Sequence, residues 1–418
     1  MDNRKFIIEE TPYVKGDVLI SGSKNAALPI MAAALLTSEK CMLKNIPPLR
    51  DIIIMENILN ILNVKTDFLT NNCVINIKGE NLSPTLDHSE LMGKIRASFL
   101  TAGSLLTRFG KAKLSLPGGC SIGTRPIDLH LKGFSKLGAE VSKEFGIVEL
   151  KAKRLKGAEI YLDFPSVGAT ENIIMAAVKA DGITTISNAA QEPEITDLCN
   201  FLIKMGAEIE GQGTDTVKIT GVKELHGTEY TVIPDRIEAG TFMIIGAAGG
   251  EVTVKGVRPD HLRPVVNKLS EMGATVTEKP TEITVKSSGR VKNADIKTLP
   301  YPGFPTDMQP QFMSLMTTGS GTGIINETIF ENRFLHAGEL NRMGADIKTE
   351  GNGAVIRGVD RLTGAKIKAT DLRAGAALII SAISAMGITE ISNIEHIERG
   401  YYNIDKKLKN LGVKIKKC

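Results

Sequence analysis

Six times along the 418-residue chain, an amphipathic helical pattern ends in Gly-Ala, or a close relative, and passes directly into a β-prone stretch. The copies read ILNILNVKTD from Ile58, FSKLGAEV from Phe134, FLIKMGAEIE from Phe201, KLSEMGATVT from Lys268, ELNRMGADIK from Glu339 and KLKNLGVKIK from Lys407. Their spacing is about 70 residues, the mark of a repeated supersecondary unit. A helix closed by a left-handed residue explains the pattern. Glycine reaches positive φ without a Cβ clash, and asparagine tolerates it. The closing residues are Asn63, Gly138, Gly206, Gly273, Gly344 and Gly412.

A second element fills the other half of each unit. Its copies are SKNAALPIMAAALL, GKIRASFLTAGSLL, SVGATENIIMAAV, DRIEAGTFMIIGAA, TDMQPQFMSLM and TDLRAGAALIISAI. These segments are apolar nearly all round with small Ala and Gly faces, so they are expected to be buried and closely packed. Most lead through a Gly turn into a strand, as in GITTISNA, GEVTVKGV and GITEISNI. The expected layering puts these helices inside, with sheets and the amphipathic helices around them. Six units divide into two α/β domains of three, and the chain between Glu224 and Asp235 is the natural crossover.

The bulk numbers exclude several classes of function. Lys and Arg total 51 against 47 Asp and Glu, a net charge of +4 with no nucleic-acid footprint. Only the C-terminal end is Lys-rich (Lys406, Lys407, Lys409, Lys414, Lys416, Lys417), which reads as a solvated helix and strand. No apolar run reaches the ~18 residues of a membrane span, and MDNRKFIIEE lacks a secretory apolar core. The five cysteines, Cys41, Cys73, Cys120, Cys199 and Cys418, are far apart and unpaired in spacing. That suits a reduced, cytoplasmic protein without a disulfide framework, zinc site or other structural metal.

The segment LPGGCSIGTRPIDLH, Leu116 to His130, carries the densest chemistry. Three glycines surround Cys120, Arg125 offers a planar fork for phosphate or carboxylate, and Asp128 offers an acceptor. Cys120 reads either as an approachable acid or nucleophile, or as a small buried hydrophobe. At the starts of the apolar helices stand Lys24-Asn25, Arg96, Asp307, and Asp371 with Arg373. Cations there oppose the helix dipole, so Lys24 and Arg96 read as residues kept for a polyanion, or as solvated charges. Asp307 reads as a functional carboxylate, or as part of an N-cap with Thr306. Arg333 in FENRF and Arg399 in HIERGY sit on turns, where a structural role is equally open.

With GSKNAALPI, GKIRAS, LPGGCSIGTRPIDLH, SVGATEN, AAQEPEI, FPTDMQPQF, FENRF, TDLRAGA and HIERGY in place, the chain resembles the UDP-N-acetylglucosamine 1-carboxyvinyltransferase family over essentially its whole length. The resemblance implies a two-domain inside-out α/β barrel, with one domain over residues 24–230 and the other over 1–23 and 231–418. It implies transfer of the enolpyruvyl group of phosphoenolpyruvate to the 3′-hydroxyl of UDP-N-acetylglucosamine, the first committed step of peptidoglycan precursor synthesis. No cofactor or metal, nucleic acid or membrane is implied. By motif, Cys120 is the active-site cysteine and Asp307 the carboxylate near the acceptor hydroxyl. Lys24, Arg125 and Arg399 are cations around the donor phosphate, with Asn25 beside them. Arg96, Arg125, Pro126, Ile127, Asp128, Leu129, Ser166, Val167, Asp307 and Ile329 line the nucleotide-sugar site, and Arg333, Asp371 and Arg373 join the substrate-binding set. One position departs: many relatives have a Lys shortly before SVG, where this chain reads DFPSVG, and Phe164 has no phosphate donor. The sister family acting on shikimate 3-phosphate shares fold and donor but lacks the PGGCSIG loop. A catalytically silent UDP-sugar-binding paralogue is the other alternative.

Overall fold

The computed structural model describes residues 4–86, 96–116, 122–123, 126–287 and 289–418. Contacts divide the chain into two compact units. One takes Met1–Ser21 and Pro234–Cys418 with the short stretch around Ile122. The other takes Gly22–Gly119 and Arg125–Ile233.

In the unit that begins at Gly22, three buried helices lie together: α1 (Lys24–Ala33), α2 (Thr101–Phe109) and α3 (Val167–Ala177). A 3-10 turn, Arg96–Leu100, leads into α2. The helices approach closely enough to exchange hydrogen bonds between buried side chains and backbone. Ser104 Oγ donates to the Ala32 carbonyl at 2.8 Å, and Asn172 Oδ1 accepts from the Gly103 amide at 2.9 Å. Gly103 is required at that approach, because a methyl group there would meet the Asn172 carbonyl at 2.4 Å.

The other unit repeats the plan with α4 (Arg236–Gly249), α5 (Gln309–Thr317) and α6 (Leu372–Ser384). Ser314 on α5 donates to the Ala377 carbonyl on α6 and lies 2.6 Å from the Ser381 hydroxyl. The buried helices expected from their apolar periodicity are therefore present in both units.

Among the described residues, each unit holds three four-stranded sheets of one shared order. Two strands run parallel, and an antiparallel pair completes the sheet. Thus Glu159–Tyr161 runs parallel to Ile183–Ser187, which pairs antiparallel with Thr216–Thr220, and that strand with Glu208–Glu210. Thr216–Thr220 alternates exposed and buried residues, the pattern of a sheet with one face on a core. The three sheets of a unit are separate, so the layering is inside-out without one continuous hydrogen-bonded barrel. Among the described residues, chain order is broken at three sheets. Phe6–Glu9 inserts between Ile388–Ser392 and Ile415–Lys417, Val14–Leu19 lies parallel to Gly250–Lys255, and Glu229–Thr231 lies parallel to Lys40–Lys44.

The helix closures behave as the repeat requires. Asn63, Gly138, Gly206, Gly273, Gly344 and Gly412 all take positive φ, between 62° and 104°. The Lys-rich end forms helix Ile404–Asn410 and strand Ile415–Lys417, but it is not uniformly solvated. Lys407 Nζ donates to Glu238 Oε1 at 2.7 Å and to the Ser21 hydroxyl at 2.8 Å. Glu238 is buried in the first turn of α4. Burial raises its carboxyl above the ordinary value, with Lys407 opposing that rise. The pair fixes the end of the N-terminal segment to α4, a role that lysine-run composition does not reveal.

Candidate active site

Asp307 stands on the 3-10 turn Thr306–Met308 that leads into α5. Its carboxylate meets two arginines. Oδ1 accepts from Arg333 Nη2 at 2.7 Å and Oδ2 from Arg373 Nη2 at 3.0 Å. The arginine side chains are 2% and 4% exposed, while Asp307 is 28% exposed. Two buried cations therefore present one partly open carboxylate. Arg333 and Arg373, read from the sequence as substrate cations, spend one guanidinium nitrogen each on Asp307.

A polar layer supports Arg373 from below. Its Nη1 donates to the Tyr401 hydroxyl at 3.3 Å, and its guanidinium carbon lies 5.6 Å from the Tyr401 ring centre. The same hydroxyl meets Thr241 Oγ1 at 2.9 Å and accepts from Gln311 Nε2 at 3.3 Å. Burial opposes the Arg373 charge, but Asp307, Tyr401 and Asp235 outweigh it and hold the guanidinium more firmly protonated than usual. Burial also raises the Tyr401 phenol. Asp371 N-caps α6, accepting from the Arg373 and Ala374 amides at 2.9 and 3.0 Å. His336 is fully buried nearby. Its pKa falls to about 4, chiefly through burial, with Asp371 opposing and Arg333 adding to the fall.

Ile329 follows the strand Thr322–Asn326 by three residues, and its amide donates to Glu327 Oε1 at 2.9 Å. What Ile329 offers a ligand is thus its carbonyl and side chain. Arg399 is half-buried at the C-cap of the short helix Glu395–Glu398, two residues before Tyr401. Ile122 and Gly123 belong to this unit. The Ile122 carbonyl accepts from the Asn332 amide at 3.0 Å, and a methyl group on Gly123 would meet the Glu331 carboxylate at 2.1 Å. Cys120 and Arg125 lie outside the described residues.

In the other unit, Lys24 opens α1 behind the N-cap Ser23. It is buried, and Nζ donates to Asp51 Oδ2 at 2.9 Å; the two side chains are 10% and 5% exposed. This carboxylate offsets the unfavourable placing of an ammonium at a helix N-terminus. An ammonium carries three donors, so the contact leaves Lys24 further hydrogen-bonding capacity. Asn25 is half-buried next to it, and Arg96 opens the 3-10 turn before α2.

Pro126 and Asp128 are exposed, Leu129 is half-buried and Ile127 is buried. Asp128 begins helix Asp128–Lys136, where a carboxylate favours the dipole. Ser166 N-caps α3, accepting from the Ala169 amide, and Val167 is the first residue of that helix. Phe164 is 45% exposed. Deeper in α3, burial pushes the Glu171 carboxyl well above its ordinary value, and Glu194 and Glu192 add to the rise.

No sequence signal marks Asp51, Glu327 or His336 as site residues. Tyr401 had one: it directly follows the HIERG turn. Cys41 and Cys199 are buried, as packing residues should be, and burial pushes the Cys199 thiol up to about 12. No helix among the described residues is long and apolar enough to cross a membrane.

The model of the family EPSP synthase (3-phosphoshikimate 1-carboxyvinyltransferase) matches residues 8–408. UDP-N-acetylglucosamine 1-carboxyvinyltransferase 1 of Caldanaerobacter subterraneus subsp. tengcongensis is 55% identical over 412 residues, 98% of this chain and 99% of its own length. UDP-N-acetylglucosamine 1-carboxyvinyltransferase 2 of Carboxydothermus hydrogenoformans is 55% identical over 416 residues, 99% of each. Among solved structures, the enolpyruvyl transferase NikO from Streptomyces tendae superposes with a TM-score of 0.90 at 25% identity, covering 99% of both chains. EPSP synthase from Acinetobacter baumannii, at 18% identity and a TM-score of 0.77, shares the fold. With relatives this similar from end to end, and with its helices buried inside separate sheets, the chain belongs to the UDP-N-acetylglucosamine 1-carboxyvinyltransferases, a family of enolpyruvyl transferases.

Proposed function

We propose that the protein transfers the enolpyruvyl group of phosphoenolpyruvate to the 3′-hydroxyl of UDP-N-acetylglucosamine and releases phosphate. Its place is the first committed step of peptidoglycan precursor synthesis in the cytoplasm. The observation that carries the reading is the Asp307 carboxylate, held by two buried arginines yet partly open, in a chain 55% identical along its length to enzymes of that name. The domains of this reading are residues 24–230, which carry Cys120, and 1–23 with 231–418, which carry Asp307.

The chemistry needs a proton at the methylene carbon of phosphoenolpyruvate and an oxygen nucleophile at C2. Cys120 supplies the proton as general acid. The hydroxyl oxygen then bonds to C2 as its proton leaves toward Asp307. Each Asp307 oxygen accepts from one arginine, which aims the carboxylate at the reacting hydroxyl. Addition gives a tetrahedral phosphate-bearing intermediate. The Cys120 thiolate takes a proton back from the methyl group, and departure of phosphate restores the double bond. Lys24, Arg125 and Arg399 neutralise the phosphate as it leaves. A Cys120 thiolate attacking C2 would give a covalent donor adduct beside this route. Arg96, Asn25, Arg125 to Leu129, Ser166, Val167, Ile329, Arg333, Asp371 and Arg373 hold the substrates. Phe164 takes no part in phosphate binding.

Phosphate release from phosphoenolpyruvate plus UDP-N-acetylglucosamine tests the proposal, with shikimate 3-phosphate as the control acceptor. Turnover with the sugar nucleotide alone supports it. Turnover with shikimate 3-phosphate would move the chain to the sister activity, and none with either acceptor would make it a silent paralogue.

A further inference from the structure

Glu327 follows the strand Thr322–Asn326 and is 1% exposed. A buried carboxylate is costly unless its charge is met by partners. Among the described residues no cation pairs with Glu327. Four neutral donors meet it instead. Oε1 accepts from the Thr298 hydroxyl at 2.8 Å, the Ile329 amide at 2.9 Å and the Phe330 amide at 3.3 Å. Oε2 accepts from the Thr306 hydroxyl at 2.9 Å. The same Thr298 is doubly tied to Thr328, so the segment after the strand is fixed from both sides.

Thr306 is the residue before Asp307. Phe330 lies three residues before Arg333. The 2.7 Å contact between Arg333 and Asp307 therefore joins two chain segments, and one carboxylate holds both of them. We infer that Glu327 is a positioning residue for the transfer reaction, setting the Asp307 carboxylate against its arginines while touching no substrate. The inference rests on the transferase reading above. A neutral amide can do most of this work. Gln at 327 keeps one oxygen for the three donors at Oε1, and its N–H donates to Thr306, whose hydroxyl turns from donor to acceptor.

The test compares T306V, T306S, E327Q and E327A by phosphate release, UDP-N-acetylglucosamine binding by calorimetry and thermal unfolding. T306V removes one arm of the hold and should lower kcat about tenfold, while sugar-nucleotide Kd changes less than about twofold. T306S restores the hydroxyl and should recover kcat to within about twofold. E327Q should stay within about threefold of wild type in kcat, and E327A should lose about a hundredfold, the scale of a ~1 Å misplacement. If E327A does not fold, the T306V and T306S pair decides. Equal kcat in T306V and T306S overturns the inference. So does a T306V loss matched by weaker sugar-nucleotide binding and a lower unfolding temperature, since Glu327 then serves the fold alone. If wild type releases no phosphate, the transferase reading fails. The positioning claim is then judged by a T306V and R333M double-mutant cycle in unfolding, where coupling supports it and simple additivity overturns it.

Discussion

Replacing Asp307 with alanine should cost stability as well as turnover. The two arginines that donate to it are nearly inaccessible to water, so the variant leaves two guanidinium groups facing a gap. Breaking a buried ion pair by removing one partner costs ~3–5 kcal/mol. Asp307 is 28% exposed, and water entering beside it screens the orphaned charges, so the lower end applies, about 3 kcal/mol. The unit that carries it spans about 210 residues. For that size each kcal/mol moves the unfolding midpoint by roughly 2–4 °C, giving a fall of about 6–12 °C. Phosphate or sulfate should restore part of the loss by pairing with the exposed arginines, and an inert salt at equal ionic strength should restore less. Turnover should vanish, while UDP-N-acetylglucosamine affinity stays within about tenfold, or ~1.4 kcal/mol. Calorimetric scans with and without sulfate, alongside phosphate release, measure both effects. A midpoint within about 2 °C of wild type would refute the ion-pair reasoning, and near-normal phosphate release would remove Asp307 from the mechanism.

Three further outcomes are expected. Fosfomycin, an epoxide that mimics phosphoenolpyruvate, should alkylate Cys120 faster with UDP-N-acetylglucosamine present. C120D should escape with some activity and C120A lose all of it. Peptide mass spectrometry decides, and an adduct on Cys41, Cys73, Cys199 or Cys418 would overturn the assignment. His336 has its folded pKa lowered from 6.5 to about 4, so the unfolded chain binds its proton first on acidification. Its neutral form supports the fold fully above pH 6.5, and roughly 3 kcal/mol should be lost as pH falls toward 4; urea midpoints of H336Q should be flatter than wild type across that window. D51A should destabilise the protein by about 3 kcal/mol in urea unfolding by stranding the Lys24 ammonium at the start of α1, and K24M/D51A should recover part of that loss.

The repeat was legible because it is written in residues whose backbone requirement is strong. Positive φ at Gly138 or Gly412 needs no distant partner to be inferred, and an Ala-rich helix such as SVGATENIIMAA announces its own burial. The polar pairings were not legible, for the opposite reason. Asp51 sits 27 residues from Lys24, in the first turn of an ordinary amphipathic helix, and only folding makes them partners. Arg333 and Arg373 were visible as cations of the expected site, but their commitment to a shared carboxylate depends on three segments meeting. Glu327 lay inside NETIF, a stretch with no periodicity and no run of charge to single it out. Lys407 was hidden by its neighbours, since one half-buried, paired lysine among six reads as surface.

Phe6–Glu9 is hydrogen-bonded on both edges, to Ile388–Ser392 and to Ile415–Lys417. During synthesis this strand leaves the ribosome long before either partner exists. At ~5–20 residues per second, Phe6 waits on the order of 20–80 s for Ile391 to be made. The described strands of Gly22–Gly119 and Arg125–Ile233 pair only with one another, so the unit that begins at Gly22 is free to fold on the nascent chain. The other unit completes the sheet around Phe6–Glu9 only once Ile415–Lys417 has been made. For that interval an apolar, β-prone FIIE segment is unpaired, and its exposure to chaperones or to neighbouring nascent chains is set by the speed of translation rather than by the stability of the finished protein.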